Sequence, residues 1–102
     1  MKNPVPLNLL PDNTSIADDG ELYLGGVSSL RLAREFGTPL FVYDEEHLRR
    51  RCREVVAGFG SGAVYATKAF LCTAMARLAH EEGMRLDVAT GGEYHVARAG
   101  GV

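Results

Sequence analysis

The chain has 102 residues, 46% hydrophobic and 24% charged, with a formal net charge of −2. These values suit one globular domain or part of one rather than a disordered segment, and the charge argues against a nucleic-acid partner or any polyanion held by electrostatics. No apolar run approaches the length of a membrane span. The start, Met1-Lys2-Asn3-Pro4-Val5-Pro6-Leu7, has one side-chain positive charge, two prolines and no long apolar core. A leader peptide is therefore not expected, and a cytoplasmic location is the default.

Residues 1–20 are rich in Pro, Asn and Asp and read as irregular, with a turn at Pro11-Asp12-Asn13. Glu21-Leu22-Tyr23-Leu24 alternates polar and apolar side chains, predicting a short strand that Gly25-Gly26 ends. Ser28 or Ser29 can cap a helix running to Phe36, with Gly37 as its stop and Pro39 beyond. Leu40-Phe41-Val42-Tyr43 is a strand candidate, and Asp44 a cap for the helix after it. Leu48, Cys52, Val55, Val56 and Phe59 fall at offsets of 4, 7, 8 and 11, one helical face, which Gly58 and Gly60 to Gly62 interrupt.

Small and β-branched residues from Gly62 to Thr67 predict a buried strand centred near Val64, delivering Lys68 at its C-terminal tip. Leu71, Met75, Leu78 and Ala79 repeat the helical offsets 4, 7 and 8, up to Gly83. Arg85–Ala89 is the next strand, followed by Gly91-Gly92 and a short helix carrying Val96, Ala97 and Ala99. Strand centres at Val42, Val64 and Leu86 are 22 residues apart both times. That interval predicts right-handed βαβ units and a parallel α/β sheet. A closed (β/α)₈ barrel needs about 250 residues, so three such units read as a partial barrel cut short near Gly100-Gly101-Val102.

Cys52 and Cys72 lack CxxC or CxxH spacing and read as buried free thiols. His47, His80 and His95 lie on three predicted helices among charged neighbours and read as surface residues, so no metal site is expected.

The chemistry concentrates at the predicted strand ends. In parallel α/β folds the C-terminal strand edge carries the reactive groups. A lysine there can be desolvated and condense with an aldehyde, and a neighbouring carboxylate can exchange protons with it. Asp44, Lys68 and Asp87 each stand at or near such an end. A bland reading competes in every case: Asp44 as a helix cap, which is strongly preferred, Asp87 as a strand-end acceptor, and Lys68 as a solvated surface residue. Thr90-Gly91-Gly92-Glu93 can present amides to an anion or form a tight turn.

Gly37-Thr38-Pro39-Leu40-Phe41-Val42-Tyr43-Asp44, Tyr65-Ala66-Thr67-Lys68-Ala69-Phe70 and Leu86-Asp87-Val88-Ala89-Thr90-Gly91-Gly92-Glu93 occur in the order and spacing of one family. Across residues 21–102 the sequence resembles the N-terminal part of diaminopimelate decarboxylase, within the fold-type III pyridoxal-phosphate decarboxylases. Ala69-Phe70-Leu71-Cys72 after the lysine is similar to actinobacterial forms.

The resemblance implies an alanine-racemase-like TIM barrel with about three βα units present. Residues 1–39 would form an N-terminal segment and residues 40–102 the first part of the cofactor-binding barrel. Lys68 matches the catalytic lysine that holds pyridoxal 5'-phosphate, Asp87 and Glu93 match acidic residues on the cofactor side, and Ala66 lies near where the family packs against the pyridine ring. The implied reaction is loss of CO₂ from the D-centre of meso-diaminopimelate, giving L-lysine. Full-length members are homodimers; they also have later barrel strands, a glycine-rich phosphate loop and a C-terminal β-domain that have no match here. The chain is accordingly expected to be inactive alone and to need a complementary chain. Two alternatives stay open. One is decarboxylation of another amino acid, such as ornithine, lysine or a carrier-bound one. The other is a non-catalytic remnant.

Overall fold

A computed structural model describes residues 5–102. Met1–Pro4, read above as part of an irregular, leader-free start, lie outside the described residues. By its internal contacts the chain divides into one unit ending at Leu48 and a second spanning Arg49–Val102.

In the first unit a 3₁₀ turn at Leu7–Leu9 and a turn closed by Thr14 N–H donating to the Pro11 carbonyl at 3.0 Å lead into a small antiparallel sheet. Its strands are β1 (Thr14–Ile16), β2 (Leu22–Leu24) and β3 (Val27–Ser28), in that order. Sequence reading anticipates β2 and misses β1 and β3. A three-residue strand is too short to show a period, and β1 exists because β2 supplies its partners, with Ser15 opposite Tyr23. Gly25-Gly26 does more than end β2. Both glycines have positive φ, +58° and +82°, and Leu24 pairs with Val27 across them. A two-residue hairpin turn with two positive φ values is the type I′ form, which side chains with a Cβ adopt at a cost.

Helix α1 (Ser29–Phe36) follows directly, and Ser28 is its cap: the hydroxyl accepts from Arg31 N–H at 3.2 Å. The same hydroxyl donates to the Glu21 carboxylate. Leu40–Tyr43, expected to be a strand, has no ladder partner among the described residues, and Phe41 is 89% exposed. Strand propensity alone does not make a strand, because the backbone groups need a neighbour to bond. No described residue of this unit is fully buried.

Helix α2 (Glu45–Phe59) begins at Asp44, whose Oδ1 accepts from His47 N–H at 3.2 Å. The preferred cap reading of Asp44 is thus observed. The helix continues through Gly58, and Gly60–Gly62 then form a 3₁₀ turn.

The second unit holds β4 (Val64–Ala66), α3 (Thr73–Glu81), β5 (Arg85–Asp87) and α4 (Gly91–Ala99). β4 and β5 pair in parallel with Tyr65 opposite Leu86, as the strand–helix–strand interval predicts. The architecture is α/β, with one parallel pair rather than the three expected strands. Its core is built on α3, which buries Met75, Ala76, Leu78 and Ala79. Burying Met75 or Leu78 contributes about 1.5–3 kcal/mol each. Leu71, expected on that face, precedes the helix, and Cys72 is the cap, its sulfur accepting from Met75 N–H at 3.5 Å. Gly100 ends α4 where the chain crosses close to α3. A Cβ there would stand 2.8 Å from the Thr73 carbonyl oxygen and 3.1 Å from Ala76 Cβ.

Candidate functional site

The C-terminal ends of β4 and β5 gather the residues of interest within the second unit. Ala66 and Asp87 are directly opposite each other in the parallel register, so they share one face of the pair. Both are exposed. After Ala66 the chain turns through a 3₁₀ segment, Thr67–Ala69. The Tyr65 hydroxyl donates to the Phe70 carbonyl and draws this segment back over the strand.

Lys68 is exposed within that turn, and among the described residues its amine has no hydrogen-bond or ion-pair partner. Asp87 likewise has an uncommitted carboxylate among the described residues. Its backbone carbonyl is engaged, accepting from the Thr67 hydroxyl at 2.8 Å.

Thr67 is the residue that sequence reading overlooks. It is 2% exposed, and its Oγ1 lies 3.0 Å from Glu93 Oε1 as well as 2.8 Å from the Asp87 carbonyl. With one proton, the hydroxyl donates to one of these acceptors at a time. A signal was present: continuing the strand alternation places Thr67 on the Tyr65 side, away from Val64 and Ala66.

Glu93 is the more constrained of the two acids at this end of the pair. Its Oε1 accepts from Ala89 N–H at 2.8 Å, while its own N–H donates to Thr90 Oγ1 at 3.1 Å. This reciprocal arrangement resembles a capping box shifted by one residue, and it makes Thr90 the cap of α4. The Ala89 amide holds the Glu93 carboxyl below the usual carboxylate range, helped by the Thr67 hydroxyl, Thr90 and the nearby Lys68 charge. The Thr90-Gly91-Gly92-Glu93 turn thus already holds an anion, the Glu93 carboxylate.

The structure therefore brings Ala66, Lys68, Asp87 and Glu93 to one end of the β4–β5 pair. Asp44, which belongs to the first unit, caps α2 instead. Of the cysteines, Cys52 is buried as expected, and burial pushes its thiol up, with Glu82 adding to the shift and Arg49 opposing it. Cys72 is exposed, contrary to expectation, because capping α3 holds it at the helix entrance. His80 and His95 are exposed. His47 is not a plain surface residue: its side chain is 18% exposed, and Nδ1 accepts from Asp12 N–H at 3.2 Å. Among the described residues no cluster of His, Cys, Asp or Glu could hold a metal, and no helix is long and apolar enough to cross a membrane.

Diaminopimelate decarboxylase from Mycobacterium tuberculosis is 53% identical over 92 residues, which is 88% of this chain and 21% of the mycobacterial protein. In sequence the chain is homologous to diaminopimelate decarboxylase. It spans about a fifth of the length of the curated decarboxylases it matches. The fold agrees: the crystal structure of diaminopimelate decarboxylase from M. jannaschii superposes with a TM-score of 0.80 at 32% identity, covering 90% of this chain and 23% of the other. Its complex with L-lysine gives 0.74 over the same shares, also at 32% identity. No family model matches the chain.

Proposed function

We propose that this chain carries the cofactor-lysine portion of a pyridoxal-phosphate-dependent carboxy-lyase that converts meso-diaminopimelate to L-lysine and CO₂. The observation that carries the reading is Lys68: an exposed amine without a hydrogen-bond or ion-pair partner among the described residues, at the C-terminal end of a parallel strand, in a chain 53% identical to a diaminopimelate decarboxylase. The β4–α3–β5–α4 succession is read as consecutive elements of an alanine-racemase-like (β/α)₈ barrel. A cytoplasmic location accords with that role.

The residues present fit the cofactor. Lys68 would hold it through Nζ, since an uncommitted primary amine is the group an aldehyde requires. Ala66, small and exposed beside Asp87, leaves room for a flat ring. Bound there, pyridoxal phosphate supplies an electron sink for the charge left when CO₂ departs. Asp87 can accept a proton in that space, and Lys68 Nζ can give and take one. Glu93, fixed by three hydrogen bonds to its carboxylate and amide, contributes negative charge near Lys68 without moving. The M. jannaschii complex with L-lysine supports an amino acid as the ligand class.

The sequence provides its own control, because Lys2 and Lys68 are the two lysines. Incubation with pyridoxal phosphate, borohydride reduction and peptide mass mapping should place the adduct on Lys68 in clear preference to Lys2. Lys68→Ala should remove it. Equal labelling of the two lysines would overturn the proposal.

A further inference from the structure

The interaction that the decarboxylase reading leaves unused is the buried hydroxyl beside the lysine. Among the described residues Thr67 is the largest side chain with essentially no exposure, and it is polar. A buried hydroxyl is retained at a cost unless its hydrogen bonds are satisfied. Here the partners join two chain segments: the Asp87 carbonyl at 2.8 Å and Glu93 Oε1 at 3.0 Å. Glu93 in turn holds Ala89 N–H at 2.8 Å. The end of β4, the end of β5 and the first turn of α4 are thus connected through one side chain, immediately before Lys68.

We propose that Thr67 is a positioning residue: its hydroxyl, shared between the Asp87 carbonyl and Glu93, fixes the turn that carries Lys68 and so sets where the Lys68 amine stands. This rests on the reading of Lys68 as the cofactor lysine. The geometry favours a hydroxyl over a methyl at this position. Valine has the same outline, yet would remove the one donor that the Asp87 carbonyl and Glu93 share. Serine retains the donor and loses a methyl group.

The test compares Thr67→Val and Thr67→Ser in the full 102-residue chain, with Glu93→Ala as a second way to break the connection. Without cofactor, hydrogen exchange at the Ala89 amide and the amide shifts of Lys68 and Ala69 report on the turn. With pyridoxal phosphate and borohydride, the Lys68-to-Lys2 adduct ratio reports on the amine. Thr67→Val should speed exchange at Ala89, move the Lys68 and Ala69 shifts and lower the adduct ratio about tenfold, a modest cost for a misplaced reacting group. Thr67→Ser should restore all three, and Glu93→Ala should reproduce the loss. Adding Thr67→Val to Glu93→Ala should lower the ratio little further, because the two residues act as one unit.

Loss of stability alone, with the ratio and the Lys68 and Ala69 shifts unchanged in Thr67→Val, would overturn the proposal. So would failure of Thr67→Ser to restore them. If wild type shows no preference for Lys68, the cofactor reading fails by itself, while the cofactor-free exchange and shifts still decide whether Thr67 fixes the turn.

Discussion

Glu82 stands between two guanidinium groups. Arg53 reaches its carboxylate at 2.8 and 3.1 Å, and Arg49 at 3.0 Å, with Glu81 accepting from Arg49 on its far side. Arg53 first, then Arg49, holds the Glu82 carboxyl below the usual range. The sign of the linkage follows. A carboxyl with a lower pKa folded than unfolded contributes stability above its unfolded value, about 4.3. That contribution is lost as pH falls through the folded value. Glu82→Gln should therefore be less stable than wild type at pH 7, and the difference should close as pH drops below the ordinary glutamate range. Urea unfolding at neutral and acid pH measures it; a gap that persists undiminished in acid would show that charge is not its source. Arg49, Arg53 and Glu82 were visible in the sequence, but Arg53 and Glu82 are 29 positions apart, and nothing local signals their meeting.

At the scale of elements, helix–helix approach in the second unit depends on a missing side chain. Gly100 closes α4 against α3, and a Cβ would stand 2.8 Å from the Thr73 carbonyl, a backbone atom that cannot swing away. Gly100→Ala should cost about 1–3 kcal/mol, the usual range for overpacking, seen as a lower urea midpoint with an unchanged slope. A variant as stable as wild type would mean that α4 ends with more freedom than this packing allows. The helices themselves were legible because their signals are local: Ser28 before α1, Asp44 before α2, and the apolar spacing of Met75, Leu78 and Ala79 in α3. Leu40–Tyr43 misled because residue type marks the preference for an extended chain, whereas pairing depends on another segment.

For the whole molecule, the decisive quantity is how little is enclosed. The buried apolar residues are mostly alanine and methionine, whereas Phe59 is 75% exposed and Val64 52%. β4 and β5 pair with each other and with no other described strand, so each has an open edge that can recruit further chain. The chain corresponds to about a fifth of its M. tuberculosis relative, and the proposed reaction draws on the site as a whole. With pyridoxal phosphate and meso-diaminopimelate, the 102-residue chain alone is expected to release no CO₂ above the cofactor-only control. Release abolished by Lys68→Ala would overturn this and locate a working site within these residues.

The sequence by itself determined the helices, the caps at Ser28 and Asp44 and the parallel strand interval, because each depends on neighbours within a few residues or on a short repeat. Tertiary structure alone decided three things. It left Leu40–Tyr43 unpaired, folded Gly25-Gly26 into a hairpin turn, and buried Thr67 between the Asp87 carbonyl and Glu93. The turn follows from the pairing of β2 with β3, and the other two depend on whether a partner lies elsewhere in the chain: none meets Leu40–Tyr43 among the described strands, whereas Thr67 meets groups 20 and 26 residues away.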